Sequence, residues 1–460
     1  MTTFATVNPT NGEVVRRFTT LSDDGVSRAL ESSESAYRGW ARAGLAARSD
    51  VLRVVAGLYR QHAVELARLT TLEMGKPITQ ALREVELAAS IYEYYASKGP
   101  ALLADEELDI AGAGRAVVRT APIGPLLGIM PWNVPYYQVA RFVAPNLLLG
   151  NTVLVKHAPN CPQQALRMEE LLDAAGAPVG VYQNLFASVD QVATIIASPQ
   201  VQGVSLTGSE RAGRAIGEIA GRHLKKCVLE LGGSDPLIVL SDADLIQATG
   251  AAADGRFGNA GQVCTSMKRL IVEDSVYDDF LAGLLDRAAE WTSGDPMSED
   301  TRLGPLSSAV AREELAAQVQ DAVDHGAVVH LGGKVPDGPG SWYPATVLSG
   351  VTPRMRAYRE ELFGPVAVLY RVGSVDEAVD LANASEYGLG GAVFTADLAV
   401  ANEVVDRLEV GMVGINMTIK SAPDLPFGGV KRSGVGRALA RFGLDEFTNK
   451  KLVRLTQTTT

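Results

Sequence analysis

The stretch "TVLVKHAPNCPQQALRMEELLDAAG", residues 152–176, decides the fold. The apolar run 152–156 reads as a short buried strand, and a helical pattern follows over 163–175. The same succession recurs on both sides. Strands are expected at "PLLGIM" (125–130), "YQNLF" (182–186), "GVSLT" (203–207) and "CVLEL" (227–231), with helices at 137–149, 189–197 and 209–220. Apolar strands alternating with helices indicate a parallel sheet covered on both faces, doubly wound in the manner of dinucleotide-binding domains. A second α/β series follows, with strands at 236–240, 268–272, 366–370, 391–395 and 413–416 and helices at 242–256, 275–291, 375–383 and 398–408. Residues 23–100 read as mostly helical.

Two segments fall outside both series. "LDIAGAGRAVVRTAP" (108–122) reads as a hairpin with its turn at 111–114, and the alternating "KKLVRLTQ" (450–457) reads as an edge strand. An exposed edge needs cover, so these segments are expected to meet each other or another subunit. The fold class is therefore α/β: a Rossmann-like domain (1–107 and 123–231), a second α/β domain (232–412), a small β element (108–122 and 445–460) and a loop region returning to the first domain (413–444).

A chain of 460 residues exceeds one ordinary core. Its formal net charge of −11 argues against a nucleic-acid partner. No apolar run approaches the roughly 18 residues of a membrane span, and "MTTFATVNPTNGEVV" lacks a signal pattern, so a cytoplasmic protein is expected. Cys161, Cys227 and Cys264 are odd in number and far apart, and the histidines show no ligand spacing; neither disulfides nor a metal is expected.

Cys264 stands in "FGNAGQVCTSMKR" (257–269), flanked by polar residues where a space-filling cysteine would have apolar neighbours. "LTGSERAG" (206–213) follows one strand and opens a helix; Gly208 and Gly213 would let backbone approach a pyrophosphate at the helix N-terminus, or form only a turn with a Ser cap. In "LELGGSDP" (229–236), Glu230 ends an apolar strand, where an isolated charge is costly unless paired or functional. A dry site would raise its pKa and suit it to general-base work; the alternative is a solvated carboxylate. Asn133 lies in a loop pinned by Pro131 and Pro135, as an oxyanion donor or an Asx-turn. Lys156 ends a parallel strand, where it can reach a ligand or face solvent. "EELFGP" (360–365) and the Gly-rich "PFGGVKRSGVGR" (426–437) complete the set.

Taken together, "PWNVP", "TGSERAG", "ELGGSDP", "GQVC", "EELFGP" and "PFGGVKRSG" resemble the motifs of the aldehyde dehydrogenase superfamily in order and approximate spacing, across essentially the whole chain. "KHAPN", "TGSERAG" and "ELGGSDP" make it most similar to the bacterial NAD(P)-dependent succinate-semialdehyde dehydrogenase group. The resemblance implies Cys264 as nucleophile, Glu230 as general base and Asn133 as oxyanion donor, acting with the Cys264 N–H. It implies a cofactor site of Lys156, Pro159, Trp132, Thr207, Gly208, Ser209, Gly213, Leu231, Glu361 and Phe363, and a substrate site of Arg141, Tyr137, Ser421 and Phe427. By the same resemblance the small β element serves oligomerisation, as a homodimer or homotetramer.

The chain departs from the family's pattern at several positions. Pro159 replaces a Glu that often holds the adenosine ribose, so NADP, or dual use of NADP and NAD, is expected. "ASVDQV" replaces a Gly-rich turn, and Ala438 replaces the Glu of a Gly-Arg-Glu motif. Gly258 and Asp424 stand where relatives often carry Arg, removing positive charge near the expected pocket. The implied reaction is NAD(P)-dependent oxidation of an aldehyde to its acid, with succinic semialdehyde as substrate. The alternatives are an aromatic or less polar aldehyde, for which Tyr136 and Tyr137 speak, a CoA-acylating enzyme and a non-catalytic member of the fold.

Overall fold

The computed structural model of the chain describes residues 3–111 and 114–456. Gly112 and Ala113 of the expected turn lie outside the described residues, as do Gln457 and the residues after it.

A six-stranded sheet forms the first half. In spatial order its strands are Gly434–Val435, Lys226–Glu230, Gly203–Thr207, Pro125–Met130, Thr152–His157 and Tyr182–Asn184, all parallel except the short Gly434–Val435. Side chains alternate across it. Leu126, Val153 and Val155 join one core with the helices Leu45–Gln61, Ile78–Ser97 and Pro135–Leu149, while Leu127, Leu154 and Leu206 join another with Val26, Ile195 and Ile216. Burial on both faces explains why these strands read as continuous apolar runs.

Chain order sets the functional edge. From Pro125–Met130 the chain moves outward through Thr152–His157 to Tyr182–Asn184, then crosses back to Gly203–Thr207 on the other side. The carboxyl ends of Pro125–Met130 and Gly203–Thr207 therefore flank a topological switch point, where open α/β sheets bind ligands.

The second half is a seven-stranded sheet with the order Val328–Leu331, Thr346–Ser349, Val366–Val372, Met267–Glu273, Asp235–Val239, Gly390–Phe394 and Met412–Ile415. Its two outermost strands on one side, Val328–Leu331 and Thr346–Ser349, and the helix Ala309–Asp324 are not evident in the sequence reading. Val328–Leu331 is exposed or half-exposed throughout, and its apolar residues are interrupted by His330. The strand expected at 182–186 ends at Asn184.

The two outlying segments meet each other: Thr448–Leu455 pairs antiparallel with Arg115–Pro122 over its full length, and Glu106–Leu108 pairs with the other side of Arg115–Pro122. No helix among the described residues is long and apolar enough to cross a membrane.

Candidate active site

Residues Leu231–Ser234 carry the chain directly from the last strand residue of one sheet, Glu230, to the first of the other, Asp235. The cleft thus faces carboxyl strand ends of the first sheet and amino strand ends of the second. Met267–Glu273 begins just after Cys264, and Val366–Val372 just after Glu361 and Phe363. A cavity of about 280 Å³ there is lined by Trp132, Asn133, Thr207, Leu231, Cys264 and Glu361, among others.

The loop before Cys264 is tightly constrained. Asn259, Ala260 and Gly261 all have positive φ (53°, 51° and 69°), and a Cβ on Gly261 would lie 2.3 Å from the Gly364 carbonyl oxygen. Left-handed non-glycine residues cost roughly 1–3 kcal/mol each and persist only where surroundings impose them. The Arg256 guanidinium is fully buried. It donates to the carbonyls of Val366 (2.6 Å), Leu362 (2.8 Å) and Gly364 and to Ser266 Oγ (2.5 Å), tying the Cys264 loop to the Glu361 loop. Burial lowers its pKa to about 9.

Asn133 is 4% exposed and follows the strand Pro125–Met130. Its Nδ2 donates to the Gln262 carbonyl at 3.0 Å, and its own carbonyl accepts from Asn259 Nδ2 at 2.9 Å, so its amide is locked to the Cys264 loop. Burial pushes the Cys264 thiol up to about 12, while Lys268 and Arg141 pull it down.

Glu230 is 4% exposed, and neither carboxylate oxygen has a hydrogen-bond partner among the described residues. Burial raises its pKa to about 7 against the opposing pull of Arg141 and Arg437. Gly428 is glycine for a local reason: φ is +148°, and a Cβ would stand 2.8 Å from Glu230 Oε1. Behind Glu230 lies a small cavity of mixed lining, with Phe142 and Val228 beside Arg141, Ser205, Arg437 and Glu446, and room for about one water molecule.

The four expected substrate residues form one cluster. Tyr137 Oη bonds Ser421 Oγ at 2.8 Å, and the Arg141 guanidinium lies over the Phe427 and Tyr137 rings at 4.6 and 5.2 Å. Arg141 is only 4% exposed; Nη2 donates to Thr207 Oγ1 at 3.1 Å, and Nη1 stands 4.0 Å from Glu230 Oε2. It faces the general-base candidate as well as the ring cluster.

Of the expected cofactor residues, Trp132, Thr207, Gly208, Ser209, Leu231, Glu361 and Phe363 line the cavity that holds Cys264. Ser209 Oγ accepts from Ala212 N–H at 3.3 Å and caps the helix Glu210–Arg222. At Gly213 a Cβ would strike Leu231 at 2.6 Å, so glycine lets the helix seat against the cleft wall. Trp132 and Phe363 meet edge to face at 5.8 Å. Glu361 Oε1 accepts from Gly233 N–H at 3.1 Å. Lys156 and Pro159 stand away from this cavity: Lys156 is buried near Phe4, its pKa lowered by burial, and the Pro159 carbonyl accepts from Ala5 N–H at 3.0 Å. The open backbone at Gly208, the aromatic pair and the carboxylate fit a nicotinamide nucleotide.

Sequence reading missed Lys268 and Arg256, both buried beside Cys264 and Glu361. A signal existed for Lys268: it lies inside the apolar strand "MKRLIV", the same anomaly that singled out Glu230.

The chain belongs to the aldehyde dehydrogenase family, whose sequence model matches residues 1–453. Its members share this fold, and the chain is an NAD(P)-dependent aldehyde dehydrogenase. Among its relatives, the succinate-semialdehyde dehydrogenase (NADP(+)) of Deinococcus radiodurans is 55% identical over 98% of this chain and 94% of that protein. Succinate-semialdehyde dehydrogenase (NADP(+)) 1 of Mycobacterium ulcerans is 44% identical over 98% of this chain and 99% of that one. Among solved structures, the succinic semialdehyde dehydrogenase from Streptococcus pyogenes, in complex with NADP+ as the cofactor, has a TM-score of 0.97 at 42% identity, covering 99% of this chain and 100% of that one.

Proposed function

We propose that this enzyme oxidises succinic semialdehyde to succinate, with NADP as its preferred cofactor. The observation that carries the chemistry is Glu230, buried with both carboxylate oxygens unpartnered among the described residues, in a small cavity that shares Gln138 and Thr207 with the cleft of Cys264 and Asn133. The relatives' activities support the substrate.

Cys264 attacks the aldehyde carbon as thiolate, forming a C–S bond and a thiohemiacetal oxyanion. Asn133 Nδ2 and the Cys264 N–H hold that oxyanion. A bound nicotinamide would supply the hydride acceptor, so that loss of hydride from the thiohemiacetal carbon leaves the Cys264 thioester. Trp132, Thr207, Gly208, Ser209, Leu231, Glu361 and Phe363 would hold the nucleotide in the cleft, with Gly213 letting the helix approach; Lys156 and Pro159, outside this cavity, are candidates for the adenosine ribose by family resemblance alone. Glu230 then removes a proton from water, which attacks the Cys264 thioester; the C–S bond breaks and the acid leaves. A pKa near 7 makes Glu230 an effective base at neutral pH. A CoA-acylating enzyme needs no such base.

The carboxylate of succinic semialdehyde is assigned to the Arg141–Tyr137–Ser421–Phe427 cluster, where Arg141 Nη1 has no hydrogen-bond partner among the described residues. Tyr137 and Phe427 already stack on that guanidinium, which weakens the case for an aromatic aldehyde. Pro159 offers no carboxylate to repel a 2′-phosphate, in keeping with NADP.

The cofactor domain corresponds to 1–107 and 123–231, the catalytic domain to 232–412 and the loop return to 413–444. The β element 108–122 with 445–460 joins subunits into a dimer or tetramer. Its strand Thr448–Leu455 leaves Leu452 and Leu455 exposed at a sheet edge, and a monomer in sedimentation at micromolar concentration would refute this. A reducing, cytoplasmic setting fits three free cysteines, one of them a nucleophile.

The test is NADPH formation by absorbance with succinic semialdehyde, butanal and benzaldehyde, for wild type and Cys264→Ala. Wild type should prefer succinic semialdehyde, and Cys264→Ala should be inactive with all three while binding NADP normally. Substantial turnover by Cys264→Ala, or a wild-type preference for benzaldehyde, refutes the proposal.

A further inference from the structure

Among the described residues, Lys268 is a buried cation that touches both the nucleophile's loop and the Glu361 loop with its charge paired. Its side chain is 2% exposed. The ammonium donates to the carbonyls of Val263 at 3.0 Å and Cys264 at 2.8 Å, and pairs with Glu361 Oε1 at 3.1 Å. Those contacts occupy its three donors. A compact ammonium can serve three oxygens in different directions; a planar guanidinium cannot do so at one point.

The Gly-Gly of "ELGGSDP" belongs to the same arrangement. A Cβ on Gly232 would lie 2.4 Å from Glu361 Oε2, and one on Gly233 would lie 2.5 Å from the Cys264 carbonyl oxygen. Both residues lack side chains where the two loops close on the link between the sheets.

We propose that Lys268 is a positioning residue: it fixes the Cys264 peptide, serves as counter-ion to the Cys264 thiolate, and holds the Glu361 carboxylate for the cofactor ribose. This rests on Cys264 being the nucleophile. The charges facing the thiol divide into two sets. Lys268 and Arg141 favour the thiolate, and Glu361 and Glu230 oppose it. Asp235 faces Lys268 from the adjacent strand, and Arg256 acts on Glu361 from behind. Removing Lys268 leaves Glu361 and Glu230 opposed near the thiol by Arg141 alone.

The test uses cofactor-free enzyme and iodoacetamide, with the alkylation rate of the Cys264 peptide followed by mass spectrometry from pH 6 to 10. Lys268→Met should lower the alkylation rate roughly tenfold at each pH, because less of the thiol is thiolate. NADP affinity should weaken several-fold in the same variant. Glu361→Gln should raise the rate, because it removes an opposing charge while Lys268 stays. A folded Lys268→Met whose alkylation rates match wild type overturns the proposal, even if turnover is lost. If Lys268→Met does not fold, Glu361→Gln decides: a raised rate supports the proposal, and an unchanged or lowered one overturns it. Alkylation needs no aldehyde turnover, so these outcomes are separate from activity surviving in Cys264→Ala, which would remove Cys264 as nucleophile.

Discussion

Replacing Glu230 by Gln keeps the shape of the side chain and removes its charge, and two opposite consequences follow. In catalysis, acylation needs Cys264 and the oxyanion donors, whereas hydrolysis of the thioester needs the base. Stopped-flow absorbance should therefore show a burst of about one NADPH per site at nearly the wild-type rate. Steady-state turnover after the burst should fall roughly 100- to 10,000-fold, the usual contribution of a positioned base. Wild-type turnover should rise with pH to a plateau above about 7, the pKa to which burial raises Glu230, and the variant should lose that dependence.

In stability, the same burial works against the wild type. Burial raises the carboxyl from 4.5 to about 7. Across that window the folded protein keeps a proton that the unfolded chain has released, so stability falls as pH rises. The shift corresponds to roughly 3 kcal/mol at pH 8, an upper figure for what the variant can recover, because the Gln amide is itself buried. Urea midpoints of Glu230→Gln should exceed wild type at pH 8 and converge with it near pH 4.5. Unchanged steady-state turnover would remove Glu230 as the base. A variant less stable than wild type at pH 8 would refute the unpaired, desolvated carboxylate.

Pro159→Glu places a carboxylate where many relatives have one and should lower the NADP/NAD ratio of kcat/KM by tenfold or more; an unchanged ratio removes this position from cofactor choice. Arg141→Ala should cost succinic semialdehyde roughly 2 kcal/mol more in kcat/KM than butanal. It should also move the pH midpoint of turnover up, because Arg141 is the main charge lowering the Glu230 pKa; equal losses for both aldehydes would leave only the second role. Arg256→Met should destabilise by about 3–5 kcal/mol, since several carbonyls lose their buried donor together. A urea midpoint within error of wild type would show that the two loops hold without it.

Much of the site was legible because its residues sit at sequence-local anomalies. Cys264 has polar neighbours, Glu230 interrupts an apolar strand, and Asn133 lies between two prolines. The alternating strands and helices were legible for a similar reason: burial on both faces leaves a largely apolar run, which most core strands carry. Val328–Leu331 escaped because it is only four residues long and His330 interrupts its apolar residues. Arg141 was legible as a candidate for the substrate, yet its 4.0 Å approach to Glu230 was not, because these residues lie on a helix and a strand far apart in the chain.

"MKRLIV" marks the boundary most clearly. Two adjacent charges in a buried strand must both find partners, and sequence alone determines that much. Successive side chains point to opposite faces of the sheet, so the two must find them in different places. Arg269 turns to the Leu381 carbonyl at 2.8 Å and the faces of Tyr358 and Tyr370, while Lys268 turns to Cys264 and Glu361. Which face holds the reaction depends on what the distant 361–365 loop brings to it. Only the packed sheet decides that, because the pairing joins residues with no local constraint on one another until the chain has folded.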